Sequence, residues 1–111
     1  MATEVAAEVA AEVAELPANG AEPETGTKAP EASQHIIGLR ERIDEIDREL
    51  IALWQERAAL SQQVGRTRMA SGGTRLVLSR EREILDRFRE ALGADGTQLA
   101  LLLLRAGRGP L

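Results

Sequence analysis

An arginine interrupts an otherwise apolar helical seam, and this pattern constrains the fold more than any other feature of the chain. The seam has nine positions spaced three and four residues apart, eight of them apolar: Ile36, Leu39, Ile43, Ile46, Leu50, Leu53, Arg57, Leu60 and Val64. This spacing is typical of a helix face that packs against other helices. A buried guanidinium is costly unless an anion meets it. Arg57 therefore predicts either a buried salt bridge or a site for an acidic ligand.

Charge divides the chain at about residue 34. Residues 1–34 hold seven Glu against Lys28 alone, whereas residues 35–111 hold 13 Arg against 11 acidic residues. The net charge of −4 thus combines a tail of −6 with a remainder of +2. We predict a disordered acidic tail over 1–34 and one small folded domain over 35–111. The low isoelectric point describes the tail and says little about the ligand.

Composition excludes several classes of site. The chain has no Cys and one His, so we expect no disulfide and no thiolate or His-rich metal site. The longest apolar run, residues 99–104, is far shorter than the roughly 20 residues that a membrane span needs. The N-terminus lacks the pattern of a signal peptide. We therefore expect a cytoplasmic protein with neither a membrane nor a nucleic-acid partner.

The pattern predicts three helices, one long and two short, and no strand. The long helix is expected from about Ser33, as N-cap, to about Met69, and Ser71-Gly72-Gly73 ends it. Ser79 is predicted to cap a second helix whose core face is Ile84, Leu85, Phe88 and Leu92. After a turn over 93–96, Asp95 with Gln98 resembles a capping box for a third helix that ends at Gly107.

The apolar seam is too long for the rest of the chain to cover. A helix over 33–69 is about 50 Å long at 1.5 Å per residue, and some 40 residues follow it. The seam therefore predicts a partner subunit, and a symmetric dimer is the commonest solution. We expect an all-α homodimer.

The charged positions favour a small acidic ligand. Arg57 and Arg68 are 11 residues apart, which places them within about 20° on one helix face. Arg40 lies about 100° away and is better placed for a pocket on a partner helix. Arg80 and Glu81 open the second helix. Several guanidiniums with one carboxylate suit a ligand that carries more than one carboxylate, and they do not suit hydrolysis by a catalytic triad.

These residues carry a family resemblance. Residues 36–111 resemble the all-α chorismate mutase family (AroQ type), in particular its short actinobacterial members. The stretches that carry the resemblance are Leu39–Asp47, Leu53–Arg57, Val64–Arg68, Arg68–Val77, Arg80–Glu83 and Leu101–Gly109. The spaced set of Arg40, Arg57, Arg68 and Arg80-Glu81 is specific, although each of its members alone is a weak signal.

The resemblance implies an intertwined homodimer with two active sites. Arg57 would hold one carboxylate of chorismate, and Arg40 of the other subunit would hold the second. Arg68 would hydrogen-bond the ether oxygen and a carboxylate. Arg80 and Glu81 would flank the ring, with Glu81 accepting from the ligand hydroxyl.

The loop that closes the site would contain Thr74 and Val77. By the roles given above, the resemblance makes Arg57, Arg68 and Glu81 the expected catalytic residues. The implied reaction is the rearrangement of chorismate to prephenate in the biosynthesis of phenylalanine and tyrosine, which needs no cofactor.

One departure from the family pattern concerns the C-terminus. A C-terminal Gln that elsewhere donates to the ether oxygen has no counterpart in residues 105–111. Loss of such a donor typically costs about 2.7–4 kcal/mol of barrier lowering. We therefore expect a slow enzyme when it is isolated. A partner that reorders residues 105–111, of the 3-deoxy-7-phosphoheptulonate synthase class, would complete the site.

Two alternatives remain open at this stage. An isochorismate-pyruvate lyase of the same fold would share the cationic pocket and differ in its details. A non-catalytic helical dimerisation module would use Arg57 only as a buried salt bridge. Assays with both substrates separate these possibilities.

Overall fold

The computed structural model describes residues 24–109. This part of the chain contains three helices and no strand. Helix α1 is Pro30–Ala70, α2 is Leu78–Leu92 and α3 is Ala94–Arg108. The prediction of an all-α fold with one long and two short helices is confirmed. Most of the predicted acidic tail, residues 1–23, lies outside the described residues.

Helix α1 begins earlier than predicted, and Ser33 is not its N-cap. The carbonyl of Ala29 accepts the first bond, from the backbone N–H of Ser33 at 2.9 Å, and the hydroxyl of Thr27 accepts from the N–H of Ala29 at 3.3 Å. Pro30 occupies the first helical position, where proline's fixed φ and missing N–H cost nothing. The helix therefore starts three residues before the predicted cap at Ser33.

The end of α1 follows the prediction closely. The backbone N–H of Gly73 donates to the carbonyl of Arg68 at 2.7 Å, and that of Gly72 to the carbonyl of Met69 at 3.2 Å. Together with the left-handed φ of 79° at Gly72, these bonds form a Schellman motif. The motif turns the chain sharply into the loop that precedes α2.

Helix α2 starts at Leu78, so the predicted cap at Ser79 is wrong. Val77 is the N-cap, with an extended backbone and no side-chain cap bond, and its carbonyl accepts from the N–H groups of Arg80 and Glu81. Because the helix starts two residues early, Ser79 already lies in its first turn. Glu81 lies there too, where the helix dipole favours a carboxylate.

A single glycine, rather than a four-residue turn, joins α2 to α3. Gly93 has a φ of 70°, ends α2 through its N–H to the carbonyl of Arg89, and accepts from Gly96 and Thr97 at the start of α3. The predicted capping box is therefore wrong, because Asp95 lies inside the first turn and makes no cap bond. Helix α3 ends at Arg108, one residue beyond the predicted end at Gly107.

Helices α2 and α3 pack against each other around a small core. Ile84, Ala100 and Leu103 are its buried apolar residues. Of the predicted core face of α2, Ile84 is buried, whereas Leu92 is 55% exposed. A Cβ at the buried Gly96 would overlap the carbonyl of Phe88, so the two helices approach at this glycine.

Helix α1 contains no buried residue over its whole length. The described chain divides into two units between Ile46 and Asp47, and apolar seam residues are exposed in both. Leu50, Leu53 and Leu60 are 60%, 60% and 55% exposed. Contiguous apolar exposure of this kind is typical of a surface that another chain covers.

Candidate active site

The second unit contains a cavity of about 680 Å³. Volumes of roughly 300–1,000 Å³ are usual for small-molecule sites. The last turns of α1, the loop that follows, the start of α2 and the end of α3 all contribute to it. Its apolar lining includes Leu60, Val64, Met69, Leu76, Val77, Ile84 and Leu104.

Cations dominate the polar lining of this cavity. One described carboxylate, that of Glu81, lines it. The lining guanidiniums are those of Arg57, Arg66, Arg68, Arg75, Arg80 and Arg108. Such an excess of positive charge over apolar walls is suited to a small ligand with several negative charges.

Arg57 does not form the buried salt bridge that was its simplest explanation. Its Nη1 donates to the carbonyl of Leu103 at 3.3 Å, and within residues 24–109 no carboxylate pairs with it. Desolvation lowers the pKa of Arg57, and the positive charges of Arg80 and Arg87 lower it further. The surroundings of this guanidinium therefore disfavour its charge, and an anion in the cavity would compensate it.

Arg68 connects the end of α1 to the loop beside the cavity. Its Nη1 donates to the carbonyl of Arg75 at 3.1 Å, while its own carbonyl accepts from Gly73 in the Schellman motif. Both Arg57 and Arg68 line the cavity, as their spacing on one helix face predicts. The side chain of Arg68 thus also positions the loop that leads to α2.

The first turn of α2 supplies one guanidinium, that of Arg80, and one carboxylate, that of Glu81. Arg80 pairs with Glu83 at 3.0 Å on an exposed surface. Glu81 accepts from Nη2 of Arg108 at 2.7 Å, which joins the start of α2 to the end of α3. Both Arg80 and Glu81 line the cavity together with Val77, the N-cap of the same helix.

Two predicted site residues are not among the lining residues. The hydroxyl of Thr74 donates to the carbonyl of Leu76 at 3.0 Å and so shapes the loop. Arg40 belongs to the first unit, where its Nη1 donates to the carbonyl of Glu24 at 2.8 Å.

Sequence reasoning missed several residues of the cavity. Gln62 and Arg66 lie one turn apart on α1, and Arg75 lies in the loop. Arg108 lies in the last turn of α3, where the usual role of a cation is to interact with the helix dipole. No local pattern identifies its contact with Glu81, because 27 residues separate the two.

Between residues 24 and 109, no group of three or more acidic or His side chains is arranged to hold a metal ion. In the same range, none of the helices combines the length and apolar character that crossing a bilayer requires.

Comparison with known proteins decides the family. The model of the family "Chorismate mutase type II" matches residues 39–102, which is more than half of the chain. The chain belongs to this family. The match includes the predicted site residues from Arg40 to Glu81, and it confirms the resemblance to the AroQ-type chorismate mutases.

Curated relatives agree with this assignment. An intracellular chorismate mutase of Mycolicibacterium smegmatis is 52% identical over 89 residues, which cover 80% of this chain and 82% of the relative. An intracellular chorismate mutase of Mycobacterium tuberculosis (strain H37Rv) is 51% identical over 73 residues, or 66% of this chain and 69% of the relative. The chain therefore has the function that its sequence predicts, chorismate mutase activity, and is an isomerase.

A solved structure supports the fold. It is a non-covalent complex of DAHP synthase and chorismate mutase from Corynebacterium glutamicum with a bound transition state analog. The matching chain is 48% identical with a TM-score of 0.69, and the match covers 74% of this chain and 99% of that one. The all-α chorismate mutase fold is thus confirmed, and the intertwined homodimer stays a prediction.

Proposed function

We propose that the cavity of the second unit is the chorismate site of this mutase. One observation carries the proposal: six guanidiniums and a single carboxylate are the charged groups that line the cavity, and Arg57 among them has no paired carboxylate in the described chain. A substrate with two carboxylates, an ether oxygen and a hydroxyl matches this set of groups. The cations would meet the carboxylates and the ether oxygen, and Glu81 would accept from the hydroxyl.

The reaction makes modest chemical demands on these residues. In the rearrangement of chorismate to prephenate, the ether C–O bond breaks as a new C–C bond forms within the same molecule. No group leaves and no proton or electron has to be supplied. Catalysis then consists of holding the substrate in its reactive conformer and stabilising the negative charge that develops on the ether oxygen.

The roles of Arg57, Arg68 and Arg80 fit their positions in the cavity lining. Arg57 holds a carboxylate. Desolvation lowers the pKa of this guanidinium, and a nearby anion offsets that effect by stabilising its charged form. Arg68 donates to the ether oxygen as its bond breaks. Arg80 flanks the ring, and the loop with Thr74 and Val77 closes over it.

The test follows the loss of chorismate absorbance with purified wild-type chain and with Arg68→Ala. Because Arg68 acts on charge that develops only in the transition state, we expect kcat to fall by about 10²–10³-fold. Arg82→Ala is the matched control, since Arg82 lies on an exposed surface of α2 and does not line the cavity. Consumption of isochorismate instead of chorismate, or equal activity of Arg68→Ala and wild type, would contradict the proposal.

We also propose that the active form is an intertwined homodimer. Support comes from α1, in which no residue is buried and the seam residues Leu50, Leu53 and Leu60 are all more than half exposed. A second copy of the same helix offers a matching apolar surface, as a symmetric interface requires. Sedimentation equilibrium should give twice the chain mass.

Arg40 provides a sharper test of the dimer. If Arg40 of one subunit serves the cavity that contains Arg57 of the other, Arg40→Ala and Arg57→Ala are each inactive but complement one another. Refolding an equal mixture should restore about a quarter of wild-type activity, because half of the dimers are mixed and one of their two sites is intact. No restored activity in verified mixed dimers would place Arg40 outside the partner's site.

A partner enzyme is proposed for the C-terminal segment. The structural relative from C. glutamicum forms a complex with DAHP synthase, and we propose that this chain binds a synthase of the same class through residues 105–111. Titration of the mutase with that synthase should raise kcat/KM to a plateau. Unchanged turnover at saturating synthase would reject the contact.

The domain boundaries and the compartment are proposed as follows. Residues 35–111 form the mutase domain and 1–34 the tail, since the family match begins at residue 39, and the first five residues of α1 then belong to the tail. Removal of residues 1–23 should leave turnover unchanged. The relatives named intracellular lead us to propose that the chain acts in the cytoplasm, which cell fractionation tests.

A further inference from the structure

The contact between Glu81 and Arg108 differs from ordinary surface ion pairs. Its N–O distance is 2.7 Å, and the side chains of Arg108 and Glu81 are 35% and 17% exposed. By comparison, Arg80 with Glu83 and Arg89 with Asp86 are pairs three residues apart on one helix, with side chains half or more exposed. A short, sheltered, charge-assisted bond between two helices fixes geometry better than an exposed pair on one helix.

The backbone that carries Arg108 is itself attached to α1. Nε2 of Gln62 donates to the carbonyl of Ala106 at 3.1 Å. Gly107 lies so close to α1 that a Cβ would come within 2.5 Å of the hydroxyl oxygen of Ser61. One turn earlier, the carbonyl of Leu103 accepts from Arg57. The last turns of α3 are therefore held against the part of α1 that lines the cavity.

We propose that Arg108 is a positioning residue for the reaction, which holds the carboxylate of Glu81 in place beside the substrate. The inference rests on the proposed function, because it assumes that Glu81 accepts a hydrogen bond from the ligand hydroxyl. The ion pair uses Oε1 of Glu81. Since a carboxylate has lone pairs on both oxygens, Arg108 can hold Glu81 while Oε2 accepts from the ligand.

Competition within the cavity explains why this carboxylate needs a fixed partner. Glu81 is the one described carboxylate in a lining that contains Arg57, Arg66, Arg68 and Arg75. Without Arg108, these cations compete for Glu81, and any of them that captures it is neutralised and withdrawn from the substrate. The pair with Arg108 therefore keeps the acid away from the cations that bind the substrate, as well as orienting it.

The proposal predicts a dependence between two substitutions. We expect Arg108→Gln to lower kcat by about tenfold with a smaller change in KM, since a displaced group costs orientation more than binding. Arg108→Lys keeps the charge and should recover part of the loss. In a Glu81→Gln background, Arg108→Gln should have no further effect on kcat, because the carboxylate that it positions is already absent.

The matched control is Arg82→Gln, the residue next to Glu81 on α2, which is exposed and not among the residues that line the cavity. It should match wild type in kcat and KM. Melting curves for every variant show that the compared proteins are folded, and Arg108→Lys remains available if Arg108→Gln does not fold.

Three results would overturn the inference. The first is Arg108→Gln with wild-type kinetics. The second is a raised KM with unchanged kcat, which indicates direct contact with the substrate. The third is a double variant in which the fold-losses of kcat from Arg108→Gln and from Glu81→Gln multiply.

Failure of this inference is distinguishable from failure of the proposed site. If Arg68→Ala and Glu81→Gln are as active as wild type, the cavity is not the chorismate site. If both are impaired while Arg108→Gln is normal, the site stands and only the positioning role is lost.

Discussion

The cavity and the apolar seam overlap on α1 over residues 57–64, yet they differ in how complete a single chain makes them. In the cavity, Arg57 and Arg68 already donate to backbone carbonyls, and Glu81 is paired with Arg108. On the seam, Leu53 is 60% exposed, and α1 as a whole contains no buried residue. One chain therefore preorganises its polar groups but leaves much of its apolar surface uncovered. The fold therefore needs a second copy to cover the seam, whereas the proposed site needs from that copy only Arg40.

Of the two regions, the seam should show the larger loss of stability when a charge is introduced. Leu53→Asp places a carboxylate in the proposed dimer interface twice, once per subunit, and burying an unpaired charge costs several kcal/mol. We expect loss of the dimer and of most helical signal at micromolar concentration, measured by sedimentation and circular dichroism. Gln55→Asp, on an exposed position two residues away, is the control and should remain dimeric. A dimer that tolerates Leu53→Asp would contradict a seam buried between two copies.

The cavity should respond in activity and not in stability. Arg57→Ala removes the cation that meets a carboxylate, and we expect kcat/KM to fall by about 10²–10³-fold, or about 2.7–4 kcal/mol. Desolvation and nearby cations lower the pKa of Arg57, so its charge is unfavourable in the free chain and its removal should leave the melting temperature unchanged or raised. A variant with lost activity and a strongly lowered melting temperature would indicate a structural salt bridge instead.

Helix periodicity explains why the sequence predicts the class of this fold well. The spacing along residues 36–64 specifies one long helix, and the Ser71-Gly72-Gly73 stop forms the Schellman motif. The helix starts are less predictable, because several residues compete for each cap. Pro30 begins α1 before Ser33, and Gly93 leaves no turn in which Asp95 could act as a cap.

The candidate site is predictable only in part, for a related reason. Arg57 and Arg68 share one face of one helix, so local spacing brings them to the same cavity. Arg108 reaches Glu81 across 27 residues through tertiary packing, which no local pattern records. Sequence thus identifies the residues for which one helix sets the geometry and misses those that contacts between helices bring together.

After Leu53→Asp and Arg57→Ala, the next largest effect is expected from a substitution at the contact between α3 and α1. In Gly107→Ala the new Cβ would come within 2.5 Å of the Ser61 hydroxyl oxygen, and overpacking of this kind typically costs about 1–3 kcal/mol. We expect a lower melting temperature and a lower kcat, because the carbonyls of the last turn of α3 shift away from Gln62. Gly38→Ala on α1 is the matched control, because nothing lies within 4 Å of the new Cβ. It should stabilise the helix by about 0.5–1 kcal/mol. Equal melting temperatures for the two variants would show that α3 does not pack tightly at Gly107.

The smallest effect is expected at an exposed ion pair that belongs to neither region. Asp86 and Arg89 pair at 3.3 Å on α2 with side chains 50% and 62% exposed, and such pairs contribute roughly 0.2–0.5 kcal/mol. Asp86→Asn should therefore shift the midpoint of urea unfolding only slightly and leave kcat and KM unchanged. Because Glu81 lies on the same helix in a sheltered pair, the two sites offer a direct contrast between exposed and inter-helix ion pairs. If Asp86→Asn reduced turnover as much as Arg108→Gln, loss of an ion pair anywhere on these two helices would explain the effect at Arg108, and the position of the Glu81 carboxylate would not.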